Sequence, residues 1–112
     1  MHIETETFGH VLVAHTPDEI TEDTAGPFME TLNQSVDAGQ IFVVLQMDRS
    51  ELFDSAGLTA LVELQDELRE RMGKLSLSEL SETGKRVLDV TQLDRQFDIF
   101  ESLLEAVGSM QE

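Results

Sequence analysis

The segment IFVVLQMDRSELFDSAGLTALVELQDELRERMG, residues 41–73, decides how the chain folds. It opens on a nearly unbroken apolar run, IFVVLQM (41–47), the pattern of a strand covered on both faces as in a parallel sheet. A polar loop, DRSELFDS (48–55), lies beyond its carboxyl end. Leu58, Leu61, Val62, Leu64, Leu68 and Met72 then recur at helical spacing and make a broad apolar face. Glu63, Asp66, Glu67, Arg69 and Glu70 occupy the other face, and Gly73 ends the helix. Strand, loop and amphipathic helix in this order predict an α/β fold with parallel crossovers.

The flanks extend the same pattern. Upstream, IETET (3–7) alternates as a short edge strand, and HVLVAH (10–15) reads as a second strand with Val11 and Val13 on one face. The Phe8-Gly9-His10 turn between them makes a hairpin. TPDEITEDTAG (16–26) is a polar loop entering a helix over 24–38, in which Phe28, Leu32 and Val36 recur beside Ala25 and Met29. Pro27 then falls in the first helical turn, where its missing N–H costs nothing, and Ala38-Gly39 closes the helix.

Downstream, KLSLSEL (74–80) alternates with Leu75 and Leu77 inward. SETGKRVLDV (81–90) is a short helix holding Val87, Leu88 and Val90. RQFDIF (95–100) supplies a last strand, and ESLLEAVGSM a C-terminal helix with Leu103, Leu104 and Val107 apolar. The expectation is one domain over residues 1–112. Its architecture is a single mixed, mostly parallel sheet of four to five strands with an N-terminal hairpin, packed with four helices.

Composition limits the chemistry. Twenty-three acids against seven bases give a formal charge of −16, which repels a nucleic-acid backbone or an anionic membrane surface. A basic protein partner is permitted, and steering would speed its association. No cysteine is present, so disulfides, thiol catalysis and thiolate metal sites are excluded. No apolar stretch reaches the roughly 18–20 residues that span a bilayer. MHIETETFGH has neither a basic nor an apolar signal region, so a cytoplasmic protein is expected. His2, His10 and His15 crowd the hairpin region, and the five-residue spacing of the last two puts them on opposite strand faces, a poor ligand set. Gly84-Lys85 lacks the remainder of a phosphate loop. No enzyme activity, cofactor or metal is expected.

The turn LFDSAGL (52–58) holds the remaining information. Asp54 or Ser55 can cap the helix that follows, accepting from a first-turn N–H. Gly57 inside that turn costs the helix about 1 kcal/mol relative to alanine. It therefore needs a reason, such as the close approach of another backbone or of a partner. In an open α/β sheet, sites form beyond the carboxyl ends of the strands, where this loop must lie. A hydroxyl there is open to modification. About two added negative charges beside Asp48, Glu51 and Asp54 would repel an acidic contact on a partner.

In order and at family spacing, IFVVLQM, LFDSAGL, TALVELQDELRERMG, KLSLSEL, GKRVLDVTQLDRQFDIF and ESLLEAV resemble the STAS domain over nearly the whole chain. The likeness is specifically to stand-alone bacterial anti-sigma factor antagonists. It implies a non-enzymatic partner-switching module that binds an anti-sigma factor, often a serine kinase, and is released by phosphorylation of a loop serine. The family's usual acceptor, the second serine of its Asp-Ser-Ser-Gly stretch, falls here on Ala56, and Ser55 matches the first. A family aspartate in the earlier loop falls on Thr21, within DEIT (18–21). The implied contact centres on Asp54, Ser55, Ala56 and Gly57, with Thr59 and Glu63 flanking, and a bulky residue at Gly57 is expected to weaken binding while sparing the fold. Ser55 is the alternative phosphate acceptor. STAS domains also serve transport-accessory, stressosome-like and nucleotide-sensing assemblies, so those roles stand as the second expectation; a nucleotide would need Lys85 and Arg86 near the site.

Overall fold

A computed structural model describes residues 2–111. Thr5–Phe8 (β1) and Val11–His15 (β2) form the hairpin, turning at Gly9 with φ +62°. Then follow Glu19–Ile20 (β3), Glu22–Asp37 (α1), Phe42–Gln46 (β4), Leu52–Phe53 (β5), Ser55–Glu70 (α2) and Lys74–Ser78 (β6). Glu82–Val90 (α3), a 3-10 turn at Leu93–Arg95, Asp98–Phe100 (β7) and Leu103–Met110 (α4) complete the order. The main sheet has five strands in the order β1-β2-β4-β6-β7, antiparallel only at the hairpin. This is the expected mixed, mostly parallel sheet with four helices.

The parallel strands are buried on both faces because helices cover both. Leu12, Ala14, Val43, Leu45, Leu75 and Leu77 pack with Phe28, Leu32 and Val36 of α1 and Leu61, Leu64 and Leu68 of α2. On the opposite face Val11, Val13 and Val44 meet Ala106, Val107 and Met110 of α4. Val11 and Val13 thus share a face, as their alternation indicates, but the intervening residues are equally buried. The same holds in β6, where Ser76 and Ser78 are as inaccessible as Leu75 and Leu77.

Two local readings are corrected. Helix α1 starts at Glu22, two residues earlier than its apolar stripe shows. Its start is set by polar groups: the Thr21 N–H donates to Thr24 Oγ1 at 3.1 Å, and Thr24 Oγ1 donates to the Glu19 carbonyl at 2.7 Å. Pro27 therefore lies beyond the first turn, inside the helix, and removes the N–H that would bond the Asp23 carbonyl. Exposure of both residues leaves that carbonyl to water.

The end of α2 also differs from the expected glycine stop. The Gly73 N–H donates to the Leu68 carbonyl (2.7 Å) and the Met72 N–H to that of Arg69 (3.0 Å), a Schellman pattern. Met72, not Gly73, takes the left-handed conformation, at φ 67°. Gly73 is required for another reason: a Cβ there would stand 2.1 Å from the Ile41 carbonyl oxygen. Met72 is 84% exposed and packs little. Met72→Gly is therefore expected to raise stability by about 1 kcal/mol, or about 4 °C in the thermal midpoint. Calorimetry checks this, and a lower midpoint would show that the methionine side chain contributes more than its backbone strain costs.

Candidate switch-loop site

The loop after β4 is held by hydroxyl groups that no periodicity reveals. Ser50 is fully buried; its Oγ donates to the Pro17 carbonyl at 2.6 Å and shares a 2.6 Å hydrogen bond with Thr16 Oγ1. Ser81 Oγ donates to the Ser50 carbonyl at 2.7 Å and accepts from the Gly84 N–H at 3.0 Å, so it caps α3 while pinning the loop. Buried hydroxyls satisfied in this way fix the backbone that carries them. The loop then forms β5, which pairs in parallel with β3 through Glu19↔Leu52 and Ile20↔Phe53. This second, two-stranded sheet is an addition to the architecture read from the sequence, which treated both segments as loop.

Asp54 joins the starts of two helices. Its Oδ1 accepts from the Gly57 N–H and its Oδ2 from the Glu22 N–H, each at 2.9 Å. The open choice between Asp54 and Ser55 as cap is thereby decided for Asp54. These backbone donors, Glu22 first and then Gly57, hold the Asp54 carboxyl below its usual range. A depressed carboxyl contributes stability that is present above its unfolded pKa and is lost as pH falls through the folded one. The wild-type urea midpoint is accordingly expected to fall more on acidification below about pH 4 than that of Asp54→Asn, which has no charge to lose. Parallel midpoint curves for the two proteins would remove Asp54 from the acid response.

Gly57 is buried, and the reason is intramolecular. A Cβ built there would lie 1.8 Å from the Ile20 carbonyl oxygen and 2.9 Å from Ile20 Cγ2. The expectation that a bulky Gly57 substitution spares the fold is overturned: α2 can approach β3 this closely only with glycine, and Gly57 offers no surface for a partner. Asp54, Ser55, Ala56 and Thr59 are exposed around it. Among the described residues the Ser55 hydroxyl has no hydrogen-bond partner, so capping does not occupy it.

Two apolar hollows flank this turn. One, of about 450 Å³, is lined by Phe53, Ser55, Leu58, Val87 and Val90 together with the polar Asp54, Arg86 and Thr91. The other, of about 290 Å³, lies between Ser55, Leu58, Thr59 and Val62 of α2 and Leu93. Val90, in the first of them, is 75% exposed, apolar area that the core does not use. Of the three apolar residues that the sequence reading places on this helix, Val87, Leu88 and Val90, only Leu88 is fully buried. Glu63 is not part of this surface. It faces a separate groove between α1 and α2 with Met29, Asn33, Leu64 and Glu67. Lys85 is also turned away, toward Glu101 at 3.5 Å, so of the two basic residues only Arg86 reaches the site. Thr21, in the place of the family aspartate, precedes Glu22, whose N–H Asp54 holds.

The family model of the STAS domain matches residues 2–106. The chain belongs to the STAS domain family. No curated protein sequence matches it at a significant level. Among solved structures, a putative anti-sigma factor antagonist from Thermotoga maritima superimposes with a TM-score of 0.87 at 22% identity, over 96% of this chain and 92% of that one. The Bacillus cell fate determinant SpoIIAA, an anti-sigma factor antagonist solved in unphosphorylated and phosphorylated forms, matches with TM-scores of 0.79 and 0.73, each at 16% identity. The two forms cover 97% and 98% of this chain, and the matches span 96% and 100% of theirs. A sulfate transporter family protein from Wolinella succinogenes matches with a TM-score of 0.79 at 19% identity, over 93% of this chain and 87% of its own. At these identities the likeness establishes the STAS fold. Among the described residues of this STAS domain, no helix is long and apolar enough to cross a membrane, and no cluster of ligating side chains could hold a metal ion.

Proposed function

We propose that this STAS domain is a non-enzymatic, cytoplasmic protein-interaction module that acts as an anti-sigma factor antagonist, with an anti-sigma factor of serine-kinase type as its partner. The observation that carries the reading is the exposed start of α2 beside apolar hollows that the fold leaves open. Asp54, Ser55, Ala56 and Thr59 make the polar part of the contact. Leu58, Val62, Val87 and Val90 supply its apolar part, the arrangement expected of a hot spot with a polar rim. The whole chain, residues 1–112, acts as one domain. Ala56 stands where the family carries its acceptor, so binding is not subject to the ordinary phosphate control at that residue. Ser55, exposed and free of capping duty, is the remaining acceptor on the turn.

Copurification of the tagged chain from its own cells tests this. A kinase-like anti-sigma factor in the eluate supports the role, and incubation with that kinase and ATP then compares the parent with Ala56→Ser. Phosphate on the variant alone would show that control has been lost at Ala56; phosphate mapped to Ser55 in the parent would show that it has moved by one residue. A second reading draws on the likeness to the transporter family protein. In it the same surface is a permanent docking face within a transport-accessory or stressosome-like assembly. Transport subunits in the eluate, or elution from a sizing column as a large complex, would favour that reading. A nucleotide-sensing role is less well supplied, because Arg86 alone among the cations lines the hollow.

A further inference from the structure

Three features of the hollow between α2 and α3 point to one device. Ser55 offers an exposed hydroxyl without a hydrogen-bond partner among the described residues. Arg86 lines the same hollow. The ion pairs among the described residues engage Arg49, Arg71, Lys74 and Lys85, and leave Arg86, like Arg69 and Arg95, without a carboxylate. Of the three arginines without a carboxylate, only Arg86 lines this hollow. The one carboxylate lining that hollow, Asp54, is committed to two backbone N–H groups.

We propose that Arg86 is the intramolecular receptor for a phosphate carried on Ser55, and that the pair closes the hollow over Leu58, Val87 and Val90. This rests on the partner-binding reading and adds its regulation: the modification would act by occluding the apolar contact as well as by adding charge. The modifying step is a kinase transfer from a nucleoside triphosphate. A bond forms between Ser55 Oγ and the γ-phosphorus while the bond from that phosphorus to the β–γ bridging oxygen breaks. The nucleoside diphosphate leaves with the electron pair, and the hydroxyl proton passes to the kinase's base. The planar fork of arginine matches two phosphate oxygens, which a lysine would not.

The test needs no partner protein. Phosphoserine is installed at position 55 of the full chain by genetic code expansion, and its phosphorus resonance is followed against pH, with and without Arg86→Gln. The second ionisation of a free phosphoserine lies near about pH 6. The clasp is expected to bring it about half a unit below that of the Arg86→Gln protein, where the repulsion from Asp54 remains but the guanidinium is gone. Methyl signals of Leu58, Val87 and Val90 should move on phosphorylation with Arg86 present and return toward their unmodified positions in Arg86→Gln. Superimposable titrations for the two proteins would overturn the clasp and leave the partner reading untouched. A failure to capture any anti-sigma factor would do the reverse.

Discussion

Gly57→Ala is expected to destabilise the fold by about 1–3 kcal/mol, and Gly57→Val by more, as an overpacked site does. The alanine methyl group would sit 1.8 Å from the Ile20 carbonyl oxygen, a backbone atom that cannot swing aside as a side-chain end would. Helix propensity works in the opposite direction, since alanine gains about 1 kcal/mol over glycine, but that gain is smaller than the clash. Relief requires moving β3. That same carbonyl accepts the Asp54 N–H at 3.3 Å, so the shift would loosen the β3–β5 pair and the Asp54 link to Glu22. Urea denaturation measures the effect. An unchanged midpoint would mean that β3 yields freely, which would return Gly57 to the class of residues kept small for a partner. The control is Ala56→Val at the neighbouring exposed position, where a change of only a few tenths of a kcal/mol is expected.

The contrast between Gly57 and its neighbours shows what a linear sequence can disclose here. The apolar run 41–47 and the stripe from Leu58 to Leu68 announce a buried strand and a covering helix, because burial on two faces and on one face write different periods. The turn between them is legible as a cap, and a glycine in a first helical turn is legible as an anomaly. Its cause is not, because Ile20 lies 37 positions earlier and reaches Gly57 only through the β3–β5 pairing. Two-residue strands leave no periodic signal. Thr16, Ser50 and Ser81 are hidden for the same reason: each is a single polar residue in a polar segment, and only the fold brings them together. Glu63 was expected to flank the contact beside Thr59, and the sequence does not show which groove it lines. Four residues beyond Thr59, it turns into the α1–α2 groove. Val87 and Val90 were read only as apolar members of a short helix, since an exposed apolar stripe and a packing stripe share one pattern. What separates them is how much of the side chain the fold itself covers.

That distinction supports the sharpest test of the proposed docking surface. Val90→Asp is expected to lower affinity for the proposed anti-sigma factor partner by about 10–100-fold, the range of a truncated or charged hot-spot position. Its side chain is 75% exposed at the end of α3, so the fold loses little when it changes. The thermal midpoint should stay within about 2 °C of the parent, since exposed substitutions fall within about half a kcal/mol. Two mechanisms add in the bound state: an apolar contact is lost, and a charge enters a hollow lined by Phe53, Leu58 and Val87. Glu63→Gln provides the comparison, because its groove lies on the other flank of α2, and it should bind as the parent does. Calorimetric titration of both variants against the captured partner separates the alternatives. Loss in Val90→Asp alone assigns the contact to the α2–α3 surface. Loss in Glu63→Gln alone would move the interface to the α1–α2 groove, and the role of the exposed turn at Asp54 to Thr59 would then be confined to organising the starts of the two helices.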